Sequence, residues 1–184
     1  MKTKIFLFLL VALVGSSCKK EVLPKPSGQL RLDYPVAKYT KFENQCPFIF
    51  ALNDGTNIKI DKQCGFEIQY PKMKATIYIT YKSVHGNIDK LLRDAQKLTY
   101  EHVIKADDIL EQPFVNANNK VYGMFYRVNG NAATNAQFYA TDSLKHFVTG
   151  AVYFYAKPNF DSIMPAADYI KNDMQTLLET LKWK

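Results

Sequence analysis

Residues 74–82 read Lys-Ala-Thr-Ile-Tyr-Ile-Thr-Tyr-Lys. Ala75, Ile77, Ile79 and Tyr81 fall on one side of an extended chain, and Thr76, Tyr78 and Thr80 on the other. A period of two with β-branched and aromatic residues predicts a strand with one apolar and one hydroxyl-bearing face. Residues 145–156 carry the complementary signal. Val148, Gly150, Val152 and Phe154 share one face. Phe147, Thr149, Ala151, Tyr153 and Tyr155 share the other. Apolar bulk on both faces predicts a central strand covered on both sides.

Working outward, Pro47–Leu52 is a short apolar strand closed by the turn Asn53-Asp54-Gly55. Asn57–Ile60 is expected to pair back across that turn, and Phe66–Tyr70 is a further strand. Three more are predicted at about 108–115, 120–129 and 134–141. They are separated by turns at Asn116–Asn119 and Asn129-Gly130-Asn131. Between Leu30 and Phe42 the pattern is mixed, and Pro35 breaks any regular element there.

Two helices interrupt the strands. The first starts at the N-cap Asn87, with Asp89 in its first turn. Its apolar face is Ile88, Leu91, Leu92, Ala95, Leu98 and His102. The second is capped by Asp161 or Ser162, with Pro165 in the first turn. Its stripe of Ile163, Ala166, Ala167, Ile170, Met174, Leu177, Leu178 and Leu181 predicts packing on a sheet. Asp168, Lys171, Asp173, Glu179 and Lys182 form its polar side, of mixed sign, which argues against a basic membrane-surface helix. Short connections favour antiparallel pairing. The expected class is α+β, an antiparallel sheet flanked by two main helices, and the element order is reminiscent of a Mog1/PsbP-like sandwich.

The N-terminus is of another kind. Lys2 and Lys4 precede an apolar run from Ile5 to Val14, followed by Gly15-Ser16-Ser17-Cys18. This reads as a lipoprotein signal peptide over residues 1–17, with Cys18 as the lipidated first residue of the mature chain. An ordinary cleaved signal is the weaker alternative. Residues 18–28, with Pro24, Pro26, Ser27 and Gly28, read as a tether, and residues 29–184 as one globular domain. The leader's apolar run is too short to span a bilayer as a helix, and no other segment is apolar enough to do so.

The 184 residues carry a formal charge of +7 with scattered lysines, and aromatics make up 14%. No nucleic-acid reading motif is present, so no nucleic-acid partner is expected. With Cys18 lipidated, Cys46 and Cys64 remain, and in an oxidising space a disulfide is preferred over two buried thiols. Two cysteines without a nearby histidine make a poor zinc site, so no metal or cofactor is expected.

Catalytic motifs are missing. His85, His102 and His146 fit no zinc-protease pattern, and there is no nucleophile elbow, phosphate loop or dinucleotide fingerprint. Asp107-Asp108 reads as solvation or turn chemistry. Glu101 and His102 are adjacent on a helix and do not face each other. No catalytic residue is assigned, and no enzyme activity is expected. Tyr122, Tyr126, Tyr139, Tyr153 and Tyr155 fall in the strand region. They read first as cross-strand pairs that stabilise the sheet, and second as a binding face for proteins or glycans.

Several stretches, taken together, resemble a known family. They are Leu23-Pro24-Lys25-Pro26, Cys46-Pro47-Phe48, Tyr70-Pro71-Lys72, Lys105-Ala106-Asp107, Glu111-Gln112-Pro113-Phe114, Lys120-Val121-Tyr122-Gly123 and Gly130-Asn131-Ala132-Ala133. Near the end come Gly150-Ala151-Val152-Tyr153-Phe154, Lys157-Pro158-Asn159 and Leu181-Lys182-Trp183-Lys184. Their order and spacing resemble the GldD gliding-motility lipoproteins of Bacteroidetes-type bacteria, nearly end to end over the mature chain. The resemblance implies an accessory or stabilising lipoprotein of the gliding and type IX secretion machinery. Its partners would be other lipoproteins of that machine, besides the membrane that holds its lipid. It supplies no catalytic residues to carry over. The alternative is an envelope-anchored ligand- or glycan-binding module that uses the tyrosine face. Lys19-Lys20-Glu21 has one acid only where a surface-export signal would have several, which favours the periplasmic face of the outer membrane.

Overall fold

The computed structural model describes residues 34–101, 105–155 and 160–184. The alternating stretch forms β5 (Ala75–Ser83). Before it come β1 (Tyr39–Phe42), β2 (Phe48–Asn53), β3 (Asn57–Ile60) and β4 (Phe66–Tyr70). After it come α1 (Ile88–Tyr100), β6 (Ala106–Asn116), β7 (Val121–Gly130), β8 (Thr134–Thr141), β9 (His146–Phe154), α2 (Phe160–Thr180) and β10 (Lys182–Trp183).

Seven strands make one sheet in the order β3-β4-β5-β9-β8-β7-β6, and β1-β2-β10 make a smaller one. Every pairing within them is antiparallel. The doubly apolar β9 takes the middle of the large sheet, between β5 and β8, as its two covered faces require. Register fixes the faces. Ile77 stands opposite Val152 and Ile79 opposite Gly150, while Phe138 lies across from Gly150 and Phe125 from Phe138.

That face meets Ile170, Met174, Leu177, Leu178 and Leu181 of the α2 segment and Phe48 and Phe50 of β2 in one continuous core. Gly150 makes the packing feasible. A Cβ there would fall 2.2 Å from Cε1 of Phe138 and 2.9 Å from Cδ1 of Ile79. The opposite face carries α1 on a small cluster of Val84, Leu91 and Phe147. The domain is thus α+β, with a helix on each side of an antiparallel sheet.

Four local expectations are corrected. Asn57–Ile60 does not return to β2. β3 pairs with β4, Ile58 opposite Ile68, because the turn after Asn53 carries the chain from the small sheet to the large one. There Ile58 packs against the main core, while β2 is held by β1 and β10. A strand, β1, does form in the region of mixed pattern, four residues beyond Pro35. α2 begins at Phe160, so Pro165 lies inside the helix rather than in its first turn. Lacking an N–H, it removes one backbone bond there. Leu98, expected on the covered face of α1, is 45% exposed, because it borders an open hollow between that helix and the sheet.

Candidate functional site

The polar side of α2 is where sequence and structure differ most. Asp173 and Lys171 are 5% and 3% exposed, although their positions on the helix read as solvated. Both sheets account for Asp173, since β1 and β2 of the small sheet and β4 of the large one supply its partners. The Tyr39 hydroxyl donates to Oδ1 at 2.5 Å. Nδ2 of Asn53 and the Tyr70 hydroxyl donate to Oδ2 at 2.6 and 2.8 Å. Asn53 is fixed in turn, its Oδ1 accepting from the Gly55 N–H at 2.9 Å and its Nδ2 lying 3.0 Å from the Tyr169 hydroxyl. A buried carboxylate needs such donors to offset lost hydration. One carboxylate thereby joins β1, β2, β4 and α2. The Lys171 ammonium lies 3.4 Å from Oδ1 of Asp168.

A cavity of about 210 Å³ opens beside this network, walled by Tyr34, Asn53, Tyr70, Lys72, Met73 and Tyr169. The rings of Tyr34 and Tyr169 meet at 5.5 Å. Burial, then the charge and hydrogen bond of Asp173, push the Tyr70 phenol well above its ordinary range. Burial, then the bond to Asp173, push Tyr39 up to about 12. Both phenols therefore stay protonated at neutral pH and act as donors rather than bases.

On the other side of the large sheet, the register brings the tyrosines of four strands onto one face. Tyr78 and Tyr153 meet edge to face at 5.8 Å, and Tyr126 and Tyr139 stand at 6.4 Å. The Tyr155 hydroxyl bridges that of Tyr78 at 3.0 Å and Oγ1 of Thr76 at 2.8 Å. The hydrogen bond to Tyr155, then burial, raise Tyr78 to about 12. Between this face and the C-terminal half of α1 lies a second cavity, of about 140 Å³.

Cys46 and Cys64 are joined by a disulfide, with Cα atoms 5.6 Å apart, tying the approach to β2 to the loop before β4. Cys18, the 18–28 tether and His102 lie outside the described residues. His85 is exposed. His146 accepts or donates through Nδ1 to the Tyr81 hydroxyl at 2.9 Å and stacks on Trp183 at 5.1 Å. Asp107 and Asp108 are exposed beside a register shift in β6. Among the described residues, no three His, Cys, Asp or Glu side chains are grouped to hold a metal ion, and no helix is long and apolar enough to cross a membrane. Asp173 escaped sequence reasoning. The one available signal was its position a helical turn after Tyr169 and next to Met174 of the apolar stripe.

Fold and sites together define a small α+β domain with an aromatic core and a buried tyrosine–carboxylate network that joins its two sheets. The chain belongs to the gliding motility lipoprotein GldD family, whose model matches residues 19–183. No curated protein matches it. Membership gives the chain a gliding-related role as a lipoprotein of the cell envelope.

Proposed function

We propose that this lipoprotein is an accessory, stabilising component of the gliding and type IX secretion machinery. It is held by lipid on Cys18 at the periplasmic face of the outer membrane. It acts by contact with other envelope lipoproteins of that machine, without catalysis, cofactor or nucleic acid. The observation that carries this reading is the family match, which spans residues 19–183 and so takes in the domain and the chain leading to it. The architecture is consistent with a structural part. Its most elaborate polar feature, around Asp173, spends its donors on joining elements of the domain itself.

The test is cross-linking in native membranes followed by mass spectrometry, comparing wild type with Cys18→Ala. Capture of the machine's envelope lipoproteins by wild type, and their loss in the variant, is the expected result. Absence of those lipoproteins at every cross-linker length overturns the reading.

A further inference from the structure

The cavity under α1 has a specific origin. Across the sheet, Tyr78, Ala151, Gln137 and Tyr126 stand side by side on β5, β9, β8 and β7. Along β9, Ala151 sits between Thr149 and Tyr153. Ala151 is thus a methyl group ringed by larger side chains. The hollow of about 140 Å³ above it far exceeds the roughly 10–15 Å³ that admits one water. Ala95, Leu98 and Thr99 of α1 close one side.

The lining has an unusual chemical balance. Among the described residues, four tyrosines, three threonines and Gln137 contribute to it, and no charged side chain does. Gln137 is 4% exposed, and its Nε2 finds no hydrogen-bond partner among the described residues. Its Oε1 lies 2.9 Å from the Thr99 hydroxyl, which is also 3.2 Å from the Ala95 carbonyl. That hydroxyl has one proton. If it goes to Ala95, the Gln137 amide turns, and Oε1 is left open instead of Nε2. In either setting one polar atom of a buried amide in the cavity wall is unpaired. A hydroxyl, which both donates and accepts, satisfies both settings.

We propose that this hollow binds one ring of a neutral saccharide. The absence of charge in the lining disfavours phosphates and carboxylates, whose desolvation nothing there would offset. Aromatic rings carry a negative face, which suits the C–H face of a sugar ring, while hydroxyl and amide groups suit its rim. The proposal rests on the geometry of β5, β9 and β8 and not on the gliding reading.

The experiment uses the detergent-solubilised full-length lipoprotein. Maltose, cellobiose and diacetylchitobiose are titrated by ligand-detected NMR and calorimetry, with glucuronic acid as the charged comparator. Saturable binding of a neutral disaccharide is expected. It should weaken at least about tenfold on Ala151→Leu, which fills the floor, and stay unchanged on Lys72→Ala at the other cavity. If thermal melting shows Ala151→Leu unfolded, Thr149→Val, which removes one lining hydroxyl, takes its place and should also weaken binding. The proposal is overturned if no neutral sugar saturates by about 10 mM, if glucuronic acid binds as well, or if binding survives the variant that folds.

Discussion

The two faces of the large sheet share a backbone and differ in chemistry. Toward α2 they present Ile77, Ile79, Phe138, Val148 and Val152, all buried. A 21-residue helix and the smaller sheet close over them. Toward α1 they present tyrosines, threonines and Gln137, and a 13-residue helix covers only part. The first face is closed by matching volumes, down to a glycine cut to fit Phe138. The second keeps hydroxyl groups and room. Stability should therefore be concentrated on the α2 side, and tolerance to change on the α1 side.

Phe138→Ala strikes the closed face directly and should cost about 3–5 kcal/mol in chemical denaturation. A loss below ~1 kcal/mol would mean that face is less tightly packed than its burial suggests.

Asp173→Ala tests the join between sheets. It leaves the Tyr70 hydroxyl and the Asn53 amide without their buried acceptor, for a loss of about 2–6 kcal/mol at one to three per orphaned group. Thermal unfolding measures it. Asp173→Asn, which keeps an acceptor, should lose less.

Alkaline titration reads the same network without truncation. Tyr39 and Tyr70 have folded pKa values raised above 10, so each contributes stability that is complete below pH 10. That contribution declines as pH rises, through about 12 for Tyr39, because the unfolded chain gives up its proton first. Denaturation midpoints taken from pH 9 to pH 12 should fall, and Tyr39→Phe should make the fall shallower. An unchanged slope would show that Tyr39 does not report on Asp173.

The smallest effect belongs to the open face. Tyr78 is 38% exposed, and Tyr78→Phe removes only its bond to Tyr155. A change within ~0.5 kcal/mol is expected in thermal melting. A loss comparable to that of Phe138→Ala would abolish the contrast between the faces.

The elements were legible in the chain because each carries a local period. β5, β9 and both helices announce themselves by alternation or a 3.6-residue stripe, and chain order with short connections gave antiparallel pairing. The errors lie where a second layer intervenes. β3 has the composition to pair with either neighbouring strand, and only the separation of the two sheets selects β4. Leu98 has the right helical phase to be covered, but it borders the hollow between α1 and the sheet and stays 45% exposed. Of the sites, the tyrosines were visible as residues, whereas their convergence around Ala151 depends on register across four strands.

By itself the sequence determined the α+β class, the antiparallel sheet with β9 at its centre, the apolar stripe of α2 and the family to which the chain belongs. These follow from periodicity and motif order, which are properties of neighbours along the chain. Only the tertiary structure decided that Asp173 is buried beneath three donors, that β2 and β3 part company, and that a small residue among tyrosines leaves a hollow. Those outcomes depend on which layer lies over which face. A residue's own period along the chain does not encode what covers it.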